Sequence, residues 1–156
     1  MSFGVVFPGQ GSQRVGMLEE AAGAFSVVSD TFSEASEALG YDLWQLVWQG
    51  PAEKLGLTEY TQPAILTASV ALFRAFTEAN AFQPTAGAGH SLGEYSALVS
   101  AGTLSLADGV RLVRKRGAAM QDAVPVGVWV PWLWSWGSQT TLSQALATAC
   151  RRRIAL

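Results

Sequence analysis

Apolar and polar positions divide the chain into short blocks. Phe3-Gly-Val-Val-Phe7 is a brief apolar run that predicts a buried strand. Pro8-Gly-Gln-Gly-Ser-Gln13 after it reads as a loop, because Pro and Gly punctuate it. A helix is expected from about Asp30 to Leu39, with Asp30 capping its start and Gly40 in the left-handed position past its end. A short helix over Asp42 to Gln49 follows, closed by Gly50-Pro51. Thr61-Gln-Pro-Ala64 opens a longer helix reaching about Ala81, with Pro63 in its first turn. Ile65, Leu66, Ser69, Val70, Leu72, Phe73 and Phe76 nearly encircle it, and a helix apolar all round is a buried one. Thr85 to Gly89 is a strand candidate, and helices are expected over Leu92 to Ala101 and Ser105 to Asp122.

Composition narrows the class. The 156 residues are 49% hydrophobic and 14% charged, enough for one domain with a core and too apolar for a disordered chain. A net charge of −2 argues against nucleic acid as the main partner. A single cysteine, Cys150, excludes an internal disulfide, and one His with one Cys cannot supply a zinc ligand set, so no metal is expected. No apolar run approaches the roughly 18 residues of a membrane span. Met1 to Phe7 carries no basic region of a signal peptide, so a cytoplasmic protein is expected.

The charge is uneven. Residues 1–127 carry a net −5 and residues 128–156 a net +3, and the second stretch holds four of the six Trp, at 129, 132, 134 and 136. Two compositions meeting at one point suggest two origins.

Candidate chemistry centres on Gly89-His-Ser-Leu-Gly93, which matches G-x-S-x-G. In a nucleophile elbow the serine sits on a sharp strand-to-helix turn, and flanking glycines are needed because backbones approach too closely for side chains. The helix start behind it offers free N–H groups to an oxyanion. The pattern alone also fits a plain Gly-rich turn. A serine nucleophile needs a base, and the chain's one histidine, His90, is adjacent to Ser91. Neighbours on a sharp turn point apart, so His90 reads as a structural side chain.

Arg116 is the second candidate. At 100° per residue from Val113, Leu106, Val110, Gly117 and Met120 fall within about 60°. Arg111, Arg114 and Lys115 fall on the far side, whereas Arg116 falls at about 300°, between Leu112 and Met120. A guanidinium inside an apolar arc must snorkel, pair with a carboxylate, or seat a substrate carboxylate.

Taken together, Phe7-Pro-Gly-Gln-Gly-Ser-Gln13, Gly89-His-Ser-Leu-Gly-Glu-Tyr-Ser-Ala-Leu98, and Arg116-Gly117 after Val110-Arg-Leu-Val113 resemble the malonyl-CoA:acyl carrier protein transacylase family. Thr61-Gln-Pro-Ala64 is similar to it as well. The resemblance covers about residues 3–127 and implies an α/β fold: part of an α/β-hydrolase-like large subdomain, with the small ferredoxin-like subdomain missing. It further implies ping-pong transfer in fatty acid biosynthesis. Ser91 would take malonyl from malonyl-CoA and pass it to the pantetheine thiol of acyl carrier protein. Backbone N–H groups of Gln10 and Leu92 would form the oxyanion hole, and Arg116 would hold the malonyl carboxylate. No cofactor is implied beyond the CoA thioester substrate. Acyltransferase domains of polyketide synthases share these motifs; the start at Met1 favours a stand-alone enzyme. Two competing readings are a serine hydrolase using the same elbow and a non-catalytic remnant that binds carrier protein or CoA.

The family's base, a histidine far downstream, has no counterpart here, and the resemblance stops at Val128, where composition changes. Reading the tail with the first two nucleotides of codon 128 discarded permits Val-Gly-Ala-Met-Ala-Val-Val-Leu-Gly after Val124-Pro-Val-Gly127, which looks like the family's continuation. Residues 128–156 are therefore expected to be an out-of-frame tail; the alternative is a genuine Trp-rich tail with a helix from Thr140 to Arg151. An open shifted frame in the coding DNA that later encodes a family-like histidine is the expected finding. Early closure of that frame would refute it.

Overall fold

A computed structural model describes residues 3–80 and 84–123, within the first of two units into which the chain divides, residues 1–123. The expectations for residues 128–156 lie outside the described residues.

The order of elements is strand β1 (Gly4–Phe7), helices α1 (Glu19–Ala24), α2 (Ser26–Leu39), α3 (Leu43–Gln49), α4 (Ala52–Gly56) and α5 (Thr58–Ala79), strand β2 (Ala86–Gly89), and helices α6 (Leu92–Ser100) and α7 (Leu106–Ala123). The two strands pair in parallel, Gly4 opposite Ala86 and Phe7 opposite Gly89. A parallel pair needs a crossover, and α1 to α5 supply it. β2 is Ala-Gly-Ala-Gly, a poor strand former in isolation. Its small residues let α6 and the side chains of β1 close over it: a Cβ at Gly87 would already touch Val5, Phe7 and Ala97 at 3.7 to 3.9 Å.

α5 is the axis of the core and packs against α2, α6 and α7. Every residue from Thr61 to Ala71 is buried, as the all-round apolar pattern requires. Val28, Phe32, Leu43, Leu66, Leu92, Val110 and Val113 complete the same core. Further along α5 the pattern opens: Leu72 and Phe76 face a groove of about 590 Å³ that also runs along Val5, Val6 and Phe7.

Several boundaries differ from the sequence expectation, each for a local reason. α2 begins at Ser26, a turn before Asp30, and has no side-chain cap, because Phe25 in extended conformation already turns the chain out of α1. Gly40 does take the left-handed position, at φ 74°. Asp42 caps α3 by accepting the Gln45 N–H at 2.8 Å. α5 begins at Thr58 rather than Thr61, which places Pro63 inside the helix and beyond its first turn. Ser105 caps α7 by accepting the Asp108 N–H at 3.1 Å, while its hydroxyl donates to the Asp108 carboxylate at 2.7 Å. α1 and α4, each six residues or fewer, lacked a period long enough to detect. No helix among the described residues is long and apolar enough to cross a membrane.

Candidate active site

The elbow is built by exclusion of side chains. A Cβ at Gly89 would collide with the Gly93 backbone, and one at Gly93 would collide with the carbonyl oxygen of Phe7. The end of β1 thus lies directly on the start of α6, and the chain must reverse within Gly89–Gly93. Ser91 absorbs that reversal at φ 55°, ψ −104°, a conformation that costs a non-glycine residue about 1–3 kcal/mol. The strain turns the Ser91 side chain outward into solvent, while Leu92 behind it is fully buried as the first residue of α6. At that position a backbone N–H has no acceptor within its own helix.

The loop after β1 closes on the elbow from the other side. A Cβ at Gly9 would lie 3.3 Å from the His90 carbonyl oxygen and 3.6 Å from His90 Nδ1. The imidazole is therefore turned toward the Gly9 side of the turn. Gln10 Nε2 donates to Thr58 Oγ1 at 3.3 Å, and the Thr58 N–H donates to Gln121 Oε1 at 2.9 Å. This chain ties the loop to the start of α5 and the last turns of α7. Gly117 allows α7 to approach there: a Cβ would stand 2.6 Å from the Thr58 carbonyl oxygen.

Arg116 projects from that close contact toward the serine. Its Nη2 donates to Ser91 Oγ at 2.9 Å and its Nη1 to Gln62 Oε1 at 2.9 Å. The guanidinium carbon stands 5.8 Å from the centre of the Tyr95 ring, within cation–π range. Both hydrogen-bond partners are neutral. The ion pairs among the described residues are Arg74 with Glu34 and Arg111 with Asp108, and neither involves Arg116. The half-buried cation thus keeps its full charge beside the serine hydroxyl, the condition of an anion seat. Leu112 and Met120, which flank it on the helical wheel, are themselves substantially exposed, so Arg116 sits at the rim of the apolar face.

Gln62 was not singled out from the sequence. It is fully buried, and its Nε2 contacts Met120 Sδ at 3.4 Å while its Oε1 holds Arg116. The available signal was an amide on a helix apolar all round, since a buried polar side chain must find partners. The structure therefore gathers Ser91, Leu92, Arg116 and Gln62, with the Gln10 loop adjoining the elbow through Gly9.

Fold and site define an α/β protein organised around a strained serine elbow with a guanidinium on the serine hydroxyl. The chain belongs to the acyl transferase domain family, whose pattern matches residues 5–129. It is 62% identical over 125 residues to the malonyl CoA-acyl carrier protein transacylase of Salmonella typhimurium, covering 80% of this chain and 40% of that protein. It is 50% identical over 122 residues to the Bacillus subtilis protein of the same name, covering 78% and 38%. Among solved structures, the malonyl CoA-acyl carrier protein transacylase of Coxiella burnetii superimposes with a TM-score of 0.79 at 56% identity, covering 81% of this chain and 40% of that one. A malonyl-transacylase in complex with its type II PKS acyl-carrier protein gives 0.77 at 58% identity, covering 80% and 40%. The chain thus spans about 40% of the length of these relatives.

Proposed function

We propose that this chain is the N-terminal portion of a malonyl-CoA:acyl carrier protein transacylase, with Ser91 as nucleophile and Arg116 as the seat of the malonyl carboxylate. The observation that carries the reading is the uncompensated Arg116 guanidinium at 2.9 Å from Ser91 Oγ. A hydrolase of neutral esters has no use for a cation there. The names of the relatives support the same substrate pair, malonyl-CoA and acyl carrier protein.

In this reading Ser91 Oγ attacks the thioester carbonyl. The C–S bond breaks, CoA leaves as its thiol, and a malonyl-serine ester remains. The N–H groups of Leu92 and Gln10 would face the developing oxyanion, a contribution of about 10²–10³ in rate per donor. The carrier's pantetheine thiol then takes the malonyl group and restores the serine. Arg116 presents N–H donors and no acceptor to Ser91, so it does not serve as the base. His90 is the only histidine in the chain and is turned toward Gly9. General-base catalysis is worth about 10²–10⁴-fold, and loading of Ser91 is slow by that factor without it. In this reading the family's downstream histidine, the remainder of the large α/β-hydrolase-like subdomain and the small ferredoxin-like subdomain lie in the part of the relatives that the match does not cover. Residues 128–156 are a separate, out-of-frame segment in this reading.

Incubation with malonyl-CoA followed by peptide mass spectrometry tests it. Malonylation of Ser91 that disappears as holo acyl carrier protein gains the group is the expected result. Label that never passes to the carrier thiol favours a non-catalytic remnant, and hydrolysis of neutral esters without CoA preference favours a hydrolase.

A further inference from the structure

We propose that Arg116 latches Ser91 and that a substrate carboxylate releases it, so that selection for carboxylated acyl groups acts on the nucleophile itself. The inference rests on the reading of Arg116 as a carboxylate seat. One arm of the guanidinium is fixed by Gln62, which is fully buried, and the other ends on Ser91 Oγ. The first arm is held in the core and the second reaches a solvent-exposed atom, so the two bonds differ in how readily they exchange. While Nη2 donates to Ser91 Oγ, one of the oxygen's two lone pairs is engaged with a cation, which draws electron density from the oxygen and weakens it as a nucleophile.

Acylation makes that bond untenable. Once Oγ is bonded to an acyl carbon it is an ester oxygen, a poor acceptor, and Nη2 must find another partner. A carboxylate two carbons from the attacked carbonyl supplies one, with a stronger charge-assisted bond than the hydroxyl gave. An acetyl group supplies none. Arg116 thus exchanges a neutral acceptor for an anionic one, and Gln62 holds it in place throughout.

The consequence is competition between Ser91 and any carboxylate for Nη2. Titration of the 156-residue chain with sodium malonate, followed by calorimetry or NMR, reads it directly. Ser91→Ala removes the competing acceptor and is expected to bind malonate about three- to tenfold tighter than wild type, the range of one hydrogen bond. Ser91→Gly, which suits the φ of 55° and guards against a folding defect in the first variant, is expected to match it. Arg116→Ala is expected to abolish binding. Equal or weaker binding by both Ser91 variants overturns the latch while leaving the seat intact. Absence of binding to wild type and both variants, or unchanged binding to Arg116→Ala, overturns the carboxylate seat itself.

Discussion

Gly93 lies so close to Phe7 that its missing side chain is a structural requirement: a Cβ there would strike the Phe7 carbonyl oxygen at the end of β1. The contact presses the first turn of α6 onto the strand and leaves Ser91 to make the turn. Gly93→Ala and Gly89→Ala are each expected to cost about 3 kcal/mol or more, because the obstacle is backbone and cannot rotate away. Gly23→Ala on α1, where nothing lies within 4 Å, is expected to gain about 0.5–1 kcal/mol from helix propensity. Urea unfolding of the three variants checks the contrast.

Gln62 and Arg116 form one polar unit at the rim of an apolar helix pair. Gln62→Leu leaves Nη1 of Arg116 without its acceptor and is expected to cost about 1–3 kcal/mol. Adding Arg116→Met removes the stranded donor and is expected to recover most of that loss, since replacing both partners by apolar groups is nearly neutral. Stability of the single and double variants, measured by urea, decides it.

The Tyr41 hydroxyl is buried without a hydrogen-bond partner. Burial pushes its pKa well above the ordinary 10.0, against the lowering influence of Arg114, whose guanidinium stands 5.3 Å from the ring centre. The unfolded chain releases this proton near pH 10 and the folded chain does not. Its contribution to stability is therefore present below pH 10 and lost as pH rises beyond it. Tyr41→Phe is expected to leave stability at pH 7 unchanged or higher by about 1 kcal/mol. It is also expected to flatten the decline in alkali, as thermal melts from pH 8 to 11 would reveal.

Much of this was legible in the sequence because it rests on local chemistry. The elbow glycines, Gly40 past α2 and the buried helix from Thr61 each follow from residue type and spacing. Arg116 stood out because a cation in an apolar arc must have a reason. Its partners could not be read the same way: Ser91 and Gln62 are brought to it by the packing of α5, α6 and α7, across separations of 25 and 54 residues. α5 starts a turn earlier than a first-turn Pro63 predicts, because Thr58 to Tyr60 already continue the helix ahead of it. α2 starts early because Phe25, not a polar cap, sets its entry.

The groove along β1 and α5 has a physical consequence of its own. Val6 is 73% exposed, and Leu72 and Phe76 are more than two-fifths exposed. Exposed apolar surface beside a strand promotes association. Sedimentation is expected to show concentration-dependent self-association that persists at high salt, and Val6→Lys with Leu72→Lys is expected to reduce it.

In the proposed reading, Ser91 is a nucleophile chosen for carboxylated acyl groups by Arg116. Intact-mass spectrometry of the chain after long incubation with malonyl-CoA or acetyl-CoA tests it most directly, in wild type, Ser91→Ala and Arg116→Ala. Slow acylation from malonyl-CoA only, absent in Ser91→Ala and with the preference for malonyl lost in Arg116→Ala, is the expected result. Equal acylation from both thioesters in wild type, or acylation that survives Ser91→Ala, would contradict it.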